Sequence, residues 1–252
     1  MISLKRKIIG SNVGTVVLAS ALIAVPVIIL QIRSLKSNLT EKAVAQAENA
    51  CASVNAFLQK PAVIVNDMAV FVSSHDIEQG EAEQSFDAVI KGDSSLYSLY
   101  YADTLPMSQG GIMYSNDGWV PDASYDKTSR EWYSKGIATT QPTVTSPYID
   151  ATTGNPVTTV TRAVQKKGRT AGVVAVDIML TDLGKIVSPI KLSKSGFSFL
   201  LDSKGNYLTN DNAKKILSAN LYSEYPPLAQ YQGRFASKTA SIVTGGGMFI
   251  VA

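Results

Sequence analysis

Seven residues within 53 positions carry one guanidinium, two carboxylates and four aromatic rings. An arginine can bind a carboxylate through two parallel hydrogen bonds, and aspartates can neutralise an ammonium group. Aromatic rings attract cations to their faces and can wall such a site. The set therefore has the chemistry to hold a small zwitterion. Its members are Tyr125, Arg130, Trp132, Tyr133, Tyr148, Asp150 and Asp177.

The spacing of these residues predicts which side chains act together. Arg130 and Tyr133 are three positions apart and would share one face of a helix. Tyr148 and Asp150 are two positions apart and would point the same way from a strand. We therefore predict one helix and one strand that each present a pair of these side chains.

Asp177 lies in the strand-like segment 173–180, which is apolar on both faces. A buried carboxylate without a partner is strongly destabilising, so Asp177 must have one. That partner could be Arg130, in an internal ion pair, or backbone N–H groups. Two aspartates and one arginine nevertheless leave one negative charge over, which a ligand ammonium would balance.

The chain has a single cysteine, Cys51, and a single histidine, His75. An internal disulfide, a Cys/His zinc site and a Cys–Cys redox pair are therefore excluded. The sequence also lacks the glycine-rich phosphate-binding motifs and the G-x-S-x-G nucleophile motif. We predict no catalytic residue, no metal site and no cofactor, and hence no enzyme.

The net charge of +3 is unevenly distributed along the chain. Four of the 23 basic residues lie within residues 1–33, which hold no acidic residue. The other 19 basic residues face 20 acidic residues, for a net charge of −1. This balance argues against a nucleic-acid partner, because nucleic-acid binding needs a basic surface.

Residues 8–30 form an uncharged apolar run of 23 residues, long enough to span a bilayer as a helix. The run is longer than the roughly 7–15 apolar residues of a secretory signal peptide. We predict a cytoplasmic N-terminus at 1–7 and an uncleaved transmembrane helix at 8–32. Basic residues flank the run on both sides, so charge alone does not decide its orientation.

Residues 33–75 are predicted to form a long membrane-proximal helix. The stretch is rich in strong helix formers, and its apolar residues recur at helical intervals on one face. Pro61 is expected to end or kink this helix near Lys60. The apolar face would pack either on the protein's own domain or on a second copy of the chain. It consists of Leu35, Leu39, Ala43, Ala50, Val54, Phe57 and Leu58.

Residues 76–192 alternate short helical and strand-like segments, which predicts an α+β module with an antiparallel sheet. The turn at Asn116-Asp117-Gly118 predicts a hairpin that returns along Trp119 and Val120. Thr181 is the expected N-cap of the last helix. The predicted helices lie within 76–96, 129–136 and 181–187, and the predicted strands at 96–102, 111–115, 145–149, 157–164 and 169–180.

A second module is predicted at 193–252. Residues 197–202 read as a strand, 203–206 as its turn and 207–209 as the returning strand. Residues 248–251 are strand-like again. No closing element follows, so we expect this module to be incomplete.

The order of these parts resembles the double Cache (dCache) sensor domains of bacterial chemoreceptors and transmembrane signalling kinases. These share a membrane span, a long helix, a membrane-distal PAS-like module and a membrane-proximal one. The proximal module opens with a G-F-x-F-L-L-D-x-x-G-like hairpin, here at 196–205. The seven residues match, in order, the Y-x4-R-x-W-Y, Y-x-D and later aspartate of the amino-acid-binding subgroup. The resemblance covers essentially the whole chain.

The resemblance implies a role for each of the seven residues and an extracytoplasmic position for the sensor. The ligand's α-carboxylate would be held by Tyr125, Arg130 and Trp132. The site of its α-ammonium would be lined and neutralised by Tyr133, Tyr148, Asp150 and Asp177.

We therefore predict the ligand-sensing region of a chemotaxis receptor in the cell membrane, which binds an L-amino acid or related amine. Its partners would be a second copy, through the long helix, and a cytoplasmic signalling complex. The sensor of a histidine kinase or cyclic-dinucleotide enzyme is an alternative. So is a membrane-anchored hydrolase with Asp150 and Asp177 as its acid/base pair. A third is a ligand-free assembly domain in which Arg130 pairs with Asp177.

Overall fold

The computed structural model describes residues 4–191, 194, 196–235, 242–245 and 248–251. The chain divides into two compact units, Met1–Ala47 with Thr239–Ala252, and Glu48–Lys238. The α-helices are α1 (Leu4–Ser74), α2 (Gln79–Gly92), α3 (Glu131–Ile137), α4 (Leu180–Val187), α5 (Leu221–Glu224) and α6 (Gln232–Phe235). The strands are β1 (Ser98–Asp103), β2 (Met113–Ser115), β3 (Thr143–Val144), β4 (Tyr148–Ile149), β5 (Pro156–Lys166), β6 (Arg169–Met179), β7 (Ile242–Gly245) and β8 (Met248–Val251). Short 3-10 turns lie at Met107–Gln109, Lys127–Ser129, Ala213–Lys215 and Pro226–Tyr231.

The first unit contains the N-terminal part of α1 and the antiparallel hairpin β7–β8, which confirms the strand predicted at 248–251. Large apolar side chains of this part of α1 are exposed, with Val16 at 65% and Leu22 at 75%. Among the described residues, α1 is the one helix long and apolar enough to cross a membrane. Such exposure suits contact with hydrocarbon better than contact with water.

Helix α1 runs through Pro61 to Ser74, so the expectation that it ends near Lys60 is wrong. Proline removes one helical hydrogen bond and costs about 3 kcal/mol or more in a helix interior. The burial of apolar residues after Pro61 offsets that cost. Val65, Ala69 and Val72 lie at helical spacing and are at most 3% exposed. A buried valine contributes roughly 1.5–3 kcal/mol.

The second unit is built on an antiparallel sheet in the order β2-β1-β6-β5-β3, with β4 also pairing with β5. This confirms the predicted antiparallel sheet. The two long strands β5 and β6 form a hairpin whose turn, Lys167-Gly168, has positive φ at both residues. That backbone twist suits a two-residue hairpin. Strand β6 lies between β5 and β1, which explains why both of its faces are apolar.

The two faces of the sheet pack on different elements. One face packs on α1 and α2, around Val65, Phe86 and Val176. The other face, the aromatic face, packs on α3, with Tyr100 of β1 in contact with Trp132 and Tyr133 of the helix. Alternate residues of β1 and β6 therefore point to opposite faces. One set packs on α1 and α2, and the other set lies on the aromatic face, which packs on α3.

Helix α3 approaches the aromatic face closely because of Gly136. A Cβ atom at this position would lie 2.3 Å from Thr161 Oγ1 and 2.5 Å from Val173 Cγ1. Only glycine allows this contact without displacing these two side chains. The helix predicted at 129–136 is thus confirmed, preceded by the Lys127–Ser129 turn.

The predicted hairpin through Asn116-Asp117-Gly118 is wrong. Strand β2 pairs with β1, and Trp119 and Val120 lie outside any strand. The Asn116 side chain accepts a hydrogen bond from Leu99 N in β1, at 2.9 Å. Asp117 accepts from Trp119 N at 3.0 Å, so the turn closes on itself. Pairing with β1 and local Asx bonding therefore prevail over the turn signal.

Two further local predictions need correction. Helix α4 begins at Leu180 with Met179 in the N-cap position, so Thr181 lies inside the helix and caps nothing. The hairpin predicted at 197–209 keeps its turn, where Asp202 Oδ1 accepts from Lys204 N and Asn206 N. Its flanks, however, form only an isolated bridge between Leu201 and Tyr207. The prediction that 193–252 is an incomplete module stays a prediction.

Candidate functional site

A cavity of about 220 Å³ lies on the aromatic face of the sheet. It is smaller than the roughly 300–1,000 Å³ typical of drug-sized ligands, which suits a small metabolite. Six of the seven residues singled out from the sequence line it, the exception being Tyr133. The lining residues are Tyr97, Ser98, Tyr100, Met113, Ser115, Asn116, Asp117, Trp119, Tyr125, Arg130, Trp132, Tyr148, Asp150, Ala151, Thr152 and Asp177.

Arg130 occupies the position just before α3, at one side of the cavity. Its guanidinium carbon lies 5.1 Å from the centre of the Tyr125 ring, which packs edge-on against Trp119 at 5.4 Å. The Arg130 side chain forms no salt bridge with any described acidic residue. The cavity therefore contains a guanidinium available to an anionic ligand group.

Trp132 and Tyr100 form the buried floor of the cavity. They are 3% and 4% exposed, and their rings meet edge to face at 5.0 Å. Such a pair adds about 0.5–1.5 kcal/mol beyond its burial. The rigid floor fixes the α3 end of the site against β1.

Asp177 is the buried acidic group of the cavity, at 4% exposure. Its Oδ1 accepts from Thr159 Oγ1 at 2.5 Å, from Tyr100 Oη at 3.0 Å and from Tyr148 Oη at 3.4 Å. No described residue donates a hydrogen bond to Oδ2, and no described cation pairs with the carboxyl group. One carboxyl oxygen thus remains for a ligand.

Burial raises the pKa of Asp177 to about 7, and the nearby charge of Asp150 adds to this rise. The hydroxyl groups of Thr159 and Tyr100 work in the opposite direction, because they donate to the charged form. Asp177 is therefore only partly ionised near neutral pH when no cation is beside it.

Asp150 has a different environment. Its Oδ2 accepts from Thr152 Oγ1 at 2.6 Å, Thr153 Oγ1 at 2.6 Å and Thr153 N at 2.9 Å, which holds the turn after β4. Burial acts to raise the pKa of Asp150, but these hydrogen bonds prevail and hold it below its usual value. The carboxylate is therefore ionised at neutral pH, and Oδ1 has no described donor.

Tyr148 connects the two aspartates. It lies in β4, two positions before Asp150, and its hydroxyl is 2.8 Å from Thr159 Oγ1. Thr159 is the register partner of Asp177 across the β5–β6 pair. Burial, and then the charge of Asp177, raises the pKa of Tyr148, so its hydroxyl stays protonated and can donate.

Tyr133 lies outside the cavity, because it follows Trp132 on α3 and packs beneath it. Its hydroxyl donates to Asp103 O at 3.1 Å, and its ring lies 5.9 Å from Lys127 Nζ. Lys127 is fully buried and forms a salt bridge with Asp103. The role in ammonium binding implied for Tyr133 thus conflicts with its position, which instead anchors α3.

The internal ion pair between Arg130 and Asp177, considered as an alternative from the sequence, is not formed in this structure. Sequence reasoning also left Tyr100 and Thr159 unassigned. The sequence did place Tyr100 and Thr159 in predicted strands, and in the structure these strands flank β6. Locating them beside Asp177, however, required the strand register.

Comparison with known proteins places this fold in a defined group. The dCache_1 family model, described as a Cache domain, matches residues 29–252. The methyl-accepting chemotaxis protein McpA of Pseudomonas putida is 27% identical over 223 residues, which cover 88% of this chain and 33% of McpA. The chain spans only a fifth to a third of the length of such curated relatives.

Solved structures share the fold at low sequence identity. The ligand-binding domain of the Pseudomonas fluorescens chemoreceptor CtaA, in complex with L-serine, has a TM-score of 0.63 at 23% identity, covering 81% of this chain and 84% of that one. The domain of the Pseudomonas aeruginosa amino-acid chemoreceptor PctC, in complex with GABA, has a TM-score of 0.60 at 22% identity, covering 82% and 87%. Because the family model matches most of its length, the chain belongs to the dCache_1 family of Cache domains.

Proposed function

We propose that this chain is the extracytoplasmic sensing region of a transmembrane chemotaxis receptor, and that its cavity binds an L-amino acid or a related amine. One observation carries the proposal. The same cavity contains a guanidinium, on Arg130, and a buried carboxyl, on Asp177, and neither forms a salt bridge with a described residue. Unpaired groups of opposite sign in one small cavity suit a zwitterion.

At the acid end, Arg130 would bind the α-carboxylate through two parallel hydrogen bonds. The Tyr125 ring supports the guanidinium from one side, at 5.1 Å. Trp132 lines the cavity immediately beyond Arg130 on α3, and its indole N–H and the Arg130 guanidinium both lie against the Tyr125 hydroxyl, which would orient these groups toward the carboxylate.

At the amine end, the α-ammonium would take Asp177 Oδ2 and Asp150 Oδ1 as acceptors. The ammonium has three donors, and the Tyr148 hydroxyl oxygen can accept the third. A cation beside Asp177 favours its ionised form and so reverses the effect of burial on its pKa.

The packing of the sheet would provide a route for the signal. Strand β6 carries Asp177 on one face and Val174 and Val176 on the other, where they pack with Val65 of α1. A ligand that binds Arg130 and Asp177 together would favour one arrangement of the sheet against α1. We propose that this shift reaches the cytoplasmic signalling complex through parts of the protein outside this chain, within a homodimer formed through α1.

Two alternatives are less well supported. The relatives detected by sequence are methyl-accepting chemotaxis proteins, which favours a chemotaxis receptor over a kinase or cyclic-dinucleotide enzyme. A hydrolase could use Asp177, with its raised pKa, as an acid beside ionised Asp150. Unpaired Arg130 favours recognition of a charged ligand instead. A receptor would leave its ligand chemically unchanged after prolonged incubation, whereas a hydrolase would not.

The direct test is ligand-dependent thermal unfolding of the 252-residue chain in detergent micelles, screened against the twenty L-amino acids and simple amines. A ligand at 100 times its Kd adds about 2.7 kcal/mol to the free energy of unfolding. The Arg130→Ala variant should weaken the binding of a stabilising amino acid by about 2–5 kcal/mol, because it removes one partner of a charge pair.

Arg169→Ala is the matched control, since Arg169 is exposed at the start of β6. It should leave the affinity unchanged. The proposal fails if no amine-bearing compound stabilises the folded chain, or if the Arg130 and Arg169 variants bind alike.

A further inference from the structure

The cavity has a second polar wall, which neither end of a bound zwitterion would occupy. Strand β2 and the turn after it supply Ser115, Asn116 and Asp117, and β1 supplies Ser98. In the sheet order β2-β1-β6-β5, this wall lies on the opposite side of β6 from Tyr148 and Asp150. Neighbouring strands are about 4.8 Å apart, so β2 is about 10 Å from the strand of Asp177.

Hydrogen bonds within this wall leave it rich in acceptors. Ser98 Oγ donates to Asn116 Oδ1 at 3.1 Å, and Ser115 Oγ donates to Asp117 Oδ1 at 2.6 Å. Both hydroxyl hydrogens are therefore used inside the wall, while lone pairs of both oxygens remain. Asp117 Oδ2 accepts from no described residue, and Asp117 forms no salt bridge with a described cation.

The charges of the cavity lining also favour a cationic group on the ligand. Its lining contains three aspartates and one arginine. With all four groups ionised the lining carries a net charge of −2, and a bound zwitterion leaves that sum unchanged, with Asp117 as the exposed carboxylate of the three. A ligand with an additional cation would reduce the net charge to −1, and the excess of negative charge in the lining favours such a ligand.

We propose, on the basis of the proposed function, that the wall of Ser98, Ser115, Asn116 and Asp117 is a side-chain subsite. This subsite selects amino acids whose side chain ends in a cation, the lysine and ornithine class. Asp117 would pair with the distal ammonium, and the serine oxygens would accept its remaining hydrogens. Asp117 is thus assigned as a specificity-determining residue. In these ligands the second ammonium is at the end of a flexible chain, so it could lie beside Asp117 while the α-ammonium stays beside Asp177, two strands away in the sheet.

The test compares L-lysine and L-ornithine with L-norleucine by isothermal titration of the 252-residue chain in detergent micelles. Norleucine matches lysine in its carbon chain and lacks only the distal ammonium. We expect lysine or ornithine to bind at least tenfold more tightly than norleucine. In Asp117→Asn this preference should fall about tenfold through weaker binding of the basic ligand, with norleucine unchanged. Asparagine keeps the Oδ1 that closes the turn, so the variant retains the local fold.

The outcomes separate this inference from the function on which it rests. If norleucine binds to the wild-type chain as tightly as lysine, the cavity binds amino acids but the subsite assignment is wrong. If Asp117→Asn weakens both ligands equally, Asp117 acts through the Arg130 end, and the assignment is again wrong. If no α-amino acid binds to the folded chain, the proposed function fails as well.

Discussion

Of the carboxyl groups of Asp150 and Asp177, that of Asp177 is the one whose ionised form is, on balance, disfavoured by burial. Three hydroxyl groups converge on its Oδ1, while Oδ2 has no described donor. Burial outweighs those hydrogen bonds, and the pKa rises from 3.8 to about 7. In the ligand-free protein, this carboxyl therefore disfavours its own ionised form. Strongly shifted pKa values of this kind cluster at functional sites.

The pH dependence of stability follows directly. Because the folded-state pKa of Asp177 exceeds its unfolded value, its stabilising contribution is fully present below pH 3.8 and is lost as the pH rises through about 7. The loss amounts to roughly 4 kcal/mol for a shift of this size. Asp177→Asn removes this term. We expect urea unfolding to show wild type losing stability relative to the variant between pH 4 and pH 8.

The matched control for this measurement is Asp87→Asn on α2, which packs on the opposite face of the sheet. Asp87 forms an exposed pair with Lys91 and should shift the curve little. Unfolding curves for wild type and Asp177→Asn that stay parallel across the pH range would contradict the buried, raised-pKa carboxyl.

At the scale of elements, Glu131 connects the Arg130 side of the cavity to the Tyr148 and Asp150 side. It lies in the first turn of α3, beside Arg130, and its Oε1 accepts from Ser146 N and Ser146 Oγ, both at 3.0 Å. Ser146 lies two positions before Tyr148 in the loop that enters β4. The Glu131 carboxylate also pairs with Lys135 at 2.7 Å. A side chain outside the cavity lining thus sets the spacing between the two halves of the site.

Glu131 is therefore a positioning residue, and two substitutions separate its roles. Glu131→Ala releases the loop and should weaken amino-acid binding by about 1–2 kcal/mol. Glu131→Gln keeps an oxygen that can accept from Ser146 while it loses the charge that attracts Lys135. We expect glutamine to restore most of the affinity in titration calorimetry. Equal losses in the two variants would assign the effect to charge rather than to loop position.

The sequence predicted most elements of the second unit, because period-two and helical apolar patterns record burial on one face. It mispredicted those that depend on a distant neighbour. Trp119 does not return in a strand because Asn116 accepts from Leu99 N of β1 and Asp117 closes the turn on Trp119 N. Thr181 is not a cap because α4 begins at Leu180. Local turn and cap chemistry is a weak signal when tertiary pairing decides which residue begins an element.

The lining of the cavity was predicted from the sequence to a similar extent. The residues that were not predicted also depend on distant neighbours. Six of the seven residues line one cavity, because a charged group in an apolar setting is stable only beside polar, aromatic or oppositely charged partners. Tyr100 and Thr159 were missed because only the register with β6 places them beside Asp177. Tyr133 does not line the cavity, because Arg130 lies in extended backbone just before α3 and the helical spacing predicted for the two side chains does not apply.

At the scale of the whole molecule, α1 belongs both to an exposed apolar segment and to the core of the sensing domain. Val65 is fully buried against the sheet, whereas Val63, two positions earlier, is 55% exposed. We expect Val65→Ala to destabilise the domain by about 2 kcal/mol, from lost transfer energy and a residual cavity. Val63→Ala should change stability by less than about 0.5 kcal/mol.

Thermal and urea unfolding of the two valine variants would measure this difference. The pair is well matched, because the same two methyl groups are removed from the same helix. Equal effects would mean that α1 is a spacer rather than a structural part of the sensing domain.

Oδ2 of Asp177, which accepts from no described residue, would affect what a receptor with this site measures. With a pKa of about 7, this oxygen is a binding site for a proton as well as for an ammonium group, and the two exclude each other. Below that pH, each tenfold rise in acidity requires up to tenfold more amine for half-saturation. A cell that used this sensor would respond in acidic surroundings to the ratio of amine to acid, and only in alkaline surroundings to the amine concentration itself.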